Sequence, residues 1–178
     1  MKSVLMTGGS RGIGRAAALA AASRGWSVTI TYVKDADSAQ RTAMEIRDRG
    51  GRSMVVRGNL RSEADVAGMF EASLGEFGRI DGVVLNAGTV ATSMPLSEMT
   101  VARMRDTFEV NVLGVFMCAR LGRNATNHRD PARSPATIVA AGPERLTARS
   151  TGGGAEPLPE ERDDLIACHD RGLSRGID

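Results

Sequence analysis

Short apolar runs alternate with longer stretches whose apolar positions recur every three or four residues. Val4-Leu5-Met6 predicts a first strand, and Trp26 to Val33, rich in β-branched residues, a second. Ser53 to Arg57 predicts a third, Ile80 to Leu85 contains a fourth, and Thr137-Ile138-Val139 reads as a fifth. Helices are predicted over Arg15 to Arg24, Ser38 to Arg49, Ser62 to about Phe77, and from Ser97 or Thr100 through Arg120. Their ends carry local signals. Gly25 stops the first, and Asp37 or Ser38 caps the second, which Gly50-Gly51 ends. Ser62 caps the third with Asp65 in a capping-box-like spacing, and Gly78 stops it. Strands alternating with helices imply right-handed crossovers and a parallel sheet covered on both faces, an α/β fold.

Between the first strand and first helix lies Thr7-Gly8-Gly9-Ser10-Arg11-Gly12-Ile13-Gly14. A strand feeding a glycine turn aims the first free N–H groups of the next helix at one point, where they and the positive helix end attract a phosphate. Glycine lets backbone approach the ligand and tolerates positive φ. The spacing is Gly-x-x-x-Gly-x-Gly rather than Gly-x-Gly-x-x-Gly, and a structural βα turn can also be glycine-rich. The strand–turn–helix context favours dinucleotide binding. The expected architecture is a three-layer, Rossmann-type, doubly wound sheet in the order 3-2-1-4, extended by strand five and incomplete at the C-terminus.

Composition narrows the function. The net charge of +2 implies no strong field toward nucleic acid or membrane. Basic residues are spread along the chain with no aromatic-and-basic patch, so no nucleic-acid partner is expected. No apolar run approaches the roughly 20 residues of a membrane span, and nothing resembles a signal peptide. Cys118 and Cys168 form no motif and read as free thiols. His128 and His169 lack metal-ligand spacing. A cytoplasmic protein with a small-molecule substrate, no membrane partner and no metal is expected.

Three motifs occur in order: Thr7 to Gly14, Asn86-Ala87-Gly88 after strand four, and Asn111 within Phe108-Glu109-Val110-Asn111-Val112. Together they resemble the short-chain dehydrogenase/reductase family, in its 3-oxoacyl-carrier-protein-reductase-like and glucose-dehydrogenase-like branches. The resemblance covers residues 1 to about 120, with an echo at Thr137 to Val139. It implies an oxidoreductase moving a hydride between a nicotinamide cofactor and a carbonyl or alcohol. It places the pyrophosphate on Gly8, Gly12, Ile13 and Gly14, with Ser10 and Arg11 of the same turn as further cofactor-binding candidates. It puts Asn86, Ala87 and Gly88 on the adenine-ribose side, and gives Asn111 a catalytic water in a proton relay. Asn59, followed by Leu60, stands where the family usually has an aspartate that meets the adenine amino group. An amide oxygen accepts that bond too, but asparagine equally suits a turn.

The end of strand two bears on the cofactor. An acidic residue about 20 positions past the glycine turn would bond the ribose 2′-hydroxyl and repel a 2′-phosphate. Tyr32 stands there instead. Arg11 and Lys34 are cations suited to a phosphate, or else ordinary surface charges. Asp35 and Asp37 argue weakly the other way. NADP(H) is favoured over NAD(H).

The second half breaks the pattern. The family moves its proton with a tyrosine whose phenol, ordinarily near pKa 10, is brought toward neutrality by a lysine four residues on, while a serine orients the substrate oxygen. Tyr32 is the sole tyrosine, residue 36 is Ala36, and no lysine follows Lys34, so no Tyr-x-x-x-Lys pair exists. Gly142 and Pro143 fall where the serine pair is expected. We expect a dinucleotide-binding domain over 1–142, family-like to about residue 120, and an irregular tail over 143–178, rich in Pro, Gly and charge, too polar to offset chain entropy. The family is homo-oligomeric, but its interface is expected to be incomplete here, leaving an apolar patch around Val112, Val115, Phe116 and Leu121. The chain is then inactive as written, or a non-catalytic NADP-binding remnant or regulatory module.

Out-of-frame translation from about Gly122 or Ala140, or a degraded gene, accounts for the break, and Gly172-Leu173-Ser174-Arg175 again resembles the family. Sequencing the coding DNA tests this: one of the other two frames of the final third should encode Tyr-x-x-x-Lys, and its absence from both would refute the idea.

Overall fold

The computed structural model describes residues 1–89, 94–127 and 137–140. The first strand, β1 (Ser3–Thr7), is buried along its whole length, as an apolar run at the centre of a covered sheet should be. It pairs in parallel with β2 (Ser27–Tyr32) on one side and β4 (Gly82–Leu85) on the other. β3 (Ser53–Arg57) lies outside β2 and β5 (Thr137–Ala140) outside β4. The order β3-β2-β1-β4-β5 is the doubly wound one expected, with β1 beside the point where the winding reverses.

Alternation along β1 feeds two cores. Val4 and Met6 pack with Val28, Ile30, Ala18 and Ile46 beneath α1 (Gly12–Ser23) and α2 (Ala36–Asp48). Leu5 packs on the other face with Val83, Val66, Met69 and Cys118, beneath α3 (Glu63–Phe77) and α5 (Val115–Asn127). Cys118 is a free thiol, and burial pushes its pKa up to about 12.

Several helix ends differ from expectation. The first helix begins at Gly12, so it absorbs the last glycines of the turn. The second is capped by Asp35 rather than Asp37 or Ser38, because the Asp35 carboxylate accepts from Ser38 N at 3.0 Å. Ser62 caps α3 as expected and Gly78 ends it in the left-handed conformation. Asp65 departs from a capping box: its carboxylate accepts from Asn59 N and the Ser62 hydroxyl, both at 2.9 Å.

The long helix expected through Arg120 is composite. Leu96–Glu98 is a 3₁₀ turn. Thr100 then caps α4 (Val101–Phe108), which widens into a π-helical segment, Glu109–Gly114, and continues as α5 to Asn127. A π segment advances the helical phase and rotates the face that follows. Among the described side chains of this composite helix, the exposed large apolar ones are Val101, Phe108, Leu113 and Phe116. Val115 and Leu121, expected in that patch, pack instead against the core. Among the described residues, no helix is long and apolar enough to cross a membrane. All described residues fall within one compact unit, Met1–Glu144. The boundary at 142, the tail 143–178, Cys168, and both histidines lie outside the described residues.

At the amino ends of β1 and β4, Asp81 accepts from Ser3 N and Arg79 Nε at 2.9 and 2.7 Å, and Arg79 Nη2 also donates to it. Burial pushes the Asp81 carboxyl up, but Arg79, Ser3 N and, more distantly, Lys2 outweigh it and hold its pKa below the ordinary value. A depressed carboxyl contributes stability above its unfolded pKa, near 3.9, and loses it as pH falls. Asp81→Asn should therefore cost about 1–2 kcal/mol at pH 7, with the gap to wild type closing below about pH 4. Urea unfolding at pH 7 and pH 3.5 checks this; an equal gap at both would sink the linkage.

Candidate cofactor-binding site

Four chain segments converge at the carboxyl edge of the sheet: the glycine turn after β1, the end of β2, the turn after β3 and the loop after β4. A single threonine ties two of them. The Thr7 hydroxyl donates to Val84 O at 3.2 Å and accepts from Asn86 N and Ala87 N, each at 3.0 Å, using its full capacity. Asn86 answers through its side chain: Nδ2 donates to Thr7 O at 3.1 Å and Gly8 O at 3.0 Å. On the other flank, Thr31 Oγ1 accepts from Gly8 N at 3.4 Å. The turn is thus braced from both neighbouring strands. Sequence reading missed Thr7 and Thr31; the available signal was a polar β-branched residue near the end of each otherwise well-buried strand.

The glycines follow from this bracing. Gly8 has φ +68°, a conformation that disfavours side chains. A Cβ added at Gly14 would overlap both Asn86 Nδ2 and Gly8 O. The first turn of α1 is therefore pressed against the asparagine brace. Arg11, at the N-cap, makes no side-chain cap bond, so the leading N–H groups of α1 face outward without one. By contrast α2, α3 and α4 are capped by Asp35, Ser62 and Thr100. Ser10 O accepts from Thr42 in α2 at 3.2 Å. Ile13 is 71% exposed at the turn, an apolar side chain unusual on an open surface.

The end of β2 presents Tyr32, half-buried, and Lys34, exposed. Asp35 is committed to capping: its carboxyl is held below the usual range first by Ser38 N–H, then by the Ser38 hydroxyl, with Arg41 and Arg11 contributing less. After β3, Asn59 Oδ1 accepts from Arg61 N at 3.1 Å, a local turn bond, and Asn59 N donates to Asp65. Leu60 is buried against Gly114 of the π segment.

After β4, Ala87 is half-buried and Gly88 exposed. Asn111, in the π segment, commits both ends of its amide to Thr89: Oδ1 accepts from Thr89 N and Nδ2 donates to Thr89 O, each at 2.8 Å. Gly88 lies against that amide. The structure therefore gathers Gly8 to Gly14 with Asn86 and Ala87, and Asn111 with Gly88 and Thr89. Tyr32 and Lys34 stand at β2, two strands from β4.

Residues 2–140 match the profile of the short chain dehydrogenases. The chain belongs to the short-chain dehydrogenase family. It is 37% identical over 134 residues to a cis-4-hydroxycyclohexanecarboxylate dehydrogenase of Sinomonas cyclohexanicum, which covers 75% of this chain and 52% of the relative. It is 35% identical to a 3-oxoacyl-acyl-carrier-protein reductase of Staphylococcus epidermidis, over 66% of this chain and 48% of that one. Among solved structures, a short-chain type dehydrogenase/reductase from Mycobacterium marinum superposes with a TM-score of 0.71 at 32% identity, covering 78% of this chain and 53% of its own. A short chain dehydrogenase from Burkholderia cenocepacia in complex with NADP gives 0.67 at 32%, covering 70% and 51%. The chain spans about half the length of the relatives it matches. The family binds NAD(P), and the glycine cradle, closed to any Cβ at Gly14, fits a pyrophosphate held by backbone N–H groups.

Gly14→Ala should destabilise the cofactor-free chain by about 1–3 kcal/mol, as overpacking does. Thermal unfolding without any nucleotide checks it; an unchanged midpoint would contradict the close approach of Asn86 to α1.

Proposed function

We propose that this chain carries the dinucleotide-binding half of a short-chain oxidoreductase and takes NADP(H) in preference to NAD(H). The observation that carries the reading is the braced glycine turn, in which Thr7 and Asn86 hold Gly8 and Gly14 so that the uncapped start of α1 faces the crevice. Gly8, Ser10, Arg11, Gly12, Ile13 and Gly14 surround the pyrophosphate, whose charge the helix end favours. Exposed Ile13 gains apolar contact from a bound nucleotide. Asn59 and Leu60 flank the adenine, with one lone pair of Asn59 Oδ1 already on Arg61 N. Asn86, Ala87 and Gly88 form the opposite wall.

The preference for a 2′-phosphate rests on charge. With Asp35 drawn into its cap, no carboxylate is offered to a ribose hydroxyl by Tyr32, Val33 or Lys34. Arg11 and Lys34 supply cations. The NADP complex of the Burkholderia cenocepacia relative supports the same choice.

The bound nicotinamide would supply hydride chemistry. The residues at hand on that side are Asn111 and the loop it clamps, and no Tyr-x-x-x-Lys pair stands anywhere in the sequence. Asn111 is the candidate catalytic residue by family likeness; here its amide positions Thr89. Tyr32 lies on the far side of β1 from Asn111. The 178-residue chain is therefore read as binding-competent and without meaningful turnover. That favours a second reading, a non-catalytic NADP-binding or regulatory module. The substrate is left as a carbonyl or alcohol, because relatives of similar identity are named for a cyclohexane hydroxy acid and for 3-oxoacyl thioesters. A small-molecule ligand, no nucleic-acid partner, an incomplete family-type oligomer interface and a cytoplasmic setting complete the reading.

Titration of the purified chain should give a lower Kd for NADPH than for NADH, and Gly14→Asp should abolish both. Removing an essential general acid costs on the order of 10²–10⁴ in rate, so NADPH oxidation with small ketones or 3-oxoacyl substrates should stay at background. Equal affinities would refute the preference, and robust turnover free of contaminating reductases would show that another residue supplies the proton.

A further inference from the structure

Several cations in this fold are committed to carboxylates. Arg15, Arg49, Arg52, Arg61, Arg79 and Arg120 each meet a carboxylate. Among the described residues, Arg11, Lys34 and Arg57 form no such pair, and all three lie at the carboxyl edge of β1, β2 and β3. Arg57 is the last residue of β3 and pairs in register with Tyr32, the last residue of β2. Its side chain shares the α1/α2 face, because Val55, two positions earlier, and Tyr32 both pack on that core. There Arg57 Nε donates to Val33 O at 3.4 Å. That bond ties the guanidinium to the backbone just before Lys34 and leaves its two terminal nitrogens for another acceptor. The carboxylate that most plainly feels Arg57 is Asp65, and both its oxygens are already engaged by Asn59 N and the Ser62 hydroxyl.

We propose that Arg57 is a specificity-determining residue that, anchored on Val33 O, turns its terminal nitrogens to the adenosine 2′-phosphate of NADP(H) and completes a three-cation cradle with Arg11 and Lys34. The inference rests on the NADP(H) reading above and adds a determinant from β3, outside the glycine turn and the end of β2. A planar guanidinium with one edge fixed presents its remaining donors to a phosphate with less ordering cost than a free lysine would. Arg57 makes no bond to the pyrophosphate turn, so its contribution should be confined to the 2′-phosphate.

The test uses the full chain and its Arg57→Gln and Arg57→Lys variants, titrated with NADPH, NADH and adenosine 2′,5′-bisphosphate. Arg57→Gln should weaken NADPH and the bisphosphate about tenfold, roughly 1.4 kcal/mol, and leave NADH unchanged. Its bisphosphate affinity should also fall less steeply with salt, since a screened charge pair has been removed. Arg57→Lys should fall between, keeping the charge and losing the anchor on Val33 O. An NADPH-to-NADH ratio in Arg57→Gln equal to that of wild type overturns the proposal while leaving the NADP(H) reading standing. Equal loss of both cofactors likewise overturns it, since Arg57 would then serve the fold. A wild-type chain that binds neither cofactor overturns both.

Discussion

The hydrogen bonds of Thr7 and Asn86 across the β1–β4 junction are the constraint on which the rest of the site depends. At this junction the sheet reverses its winding, so α1 and α5 pack on opposite faces and a crevice opens at the strand ends. A crevice exposes backbone polar groups that the ladder no longer pairs. Thr7 Oγ1 and Asn86 Nδ2 absorb five of those bonds between them. Leaving such groups unmet costs about 1–3 kcal/mol each, so the brace is as much a condition of the fold as of the site. It also fixes where α1 begins, because Gly14 touches the same asparagine.

Charge follows the same economy of commitment. Asp35, Asp65 and Asp81 are all drawn into backbone N–H groups, where a carboxylate is best satisfied. At Asp35 and Asp65, near the carboxyl ends of β2 and β3, the commitment occupies acceptors that a ribose hydroxyl would otherwise meet, whereas Asp81 lies at the opposite, amino edge of the sheet. Arg11, Lys34 and Arg57 stand at the ends of β1 to β3, although the chain as a whole is nearly neutral at +2. Local disposition of the acids, rather than net charge, sets the field in the crevice.

Much of the fold was legible in the sequence, for physical reasons that also explain the rest. β1 and β2 were plain because strands buried on both faces read as unbroken apolar or β-branched runs. Ser62 and Gly78 were read correctly because capping is local chemistry. Asp35 was passed over because three polar residues within four positions, Asp35, Asp37 and Ser38, offer near-equal caps, and the choice depends on where β2 delivers the chain. The π segment left no mark in the sequence. Within it Gly114 lies against Leu60 and Asn111 clamps Thr89, pairings that join residues far apart along the chain. Beyond it Val115 and Leu121 turn to the core, while Leu113 within it and Phe116 after it are exposed. At the site the glycines were evident, whereas Thr7, whose partners lie nearly eighty positions away, looked like one more strand residue.

On the proposed reading, binding and chemistry are carried by different stretches of this fold. Everything that would hold the nucleotide lies between β1 and the loop after β4, and its geometry is fixed by contacts within that stretch. A proton donor acting beside Asn111 must approach from the β4 side of the crevice, and Tyr32 is fixed on β2 by its place in the ladder with Arg57. Moving it across would require breaking the strand that forms half the floor of the crevice. The glycine turn is therefore braced by Thr7, Thr31 and Asn86 without any contribution from Tyr32 or Asn111. On the proposed reading, affinity for the cofactor and turnover are separable, because the contacts that shape the cradle do not include the groups beside Asn111.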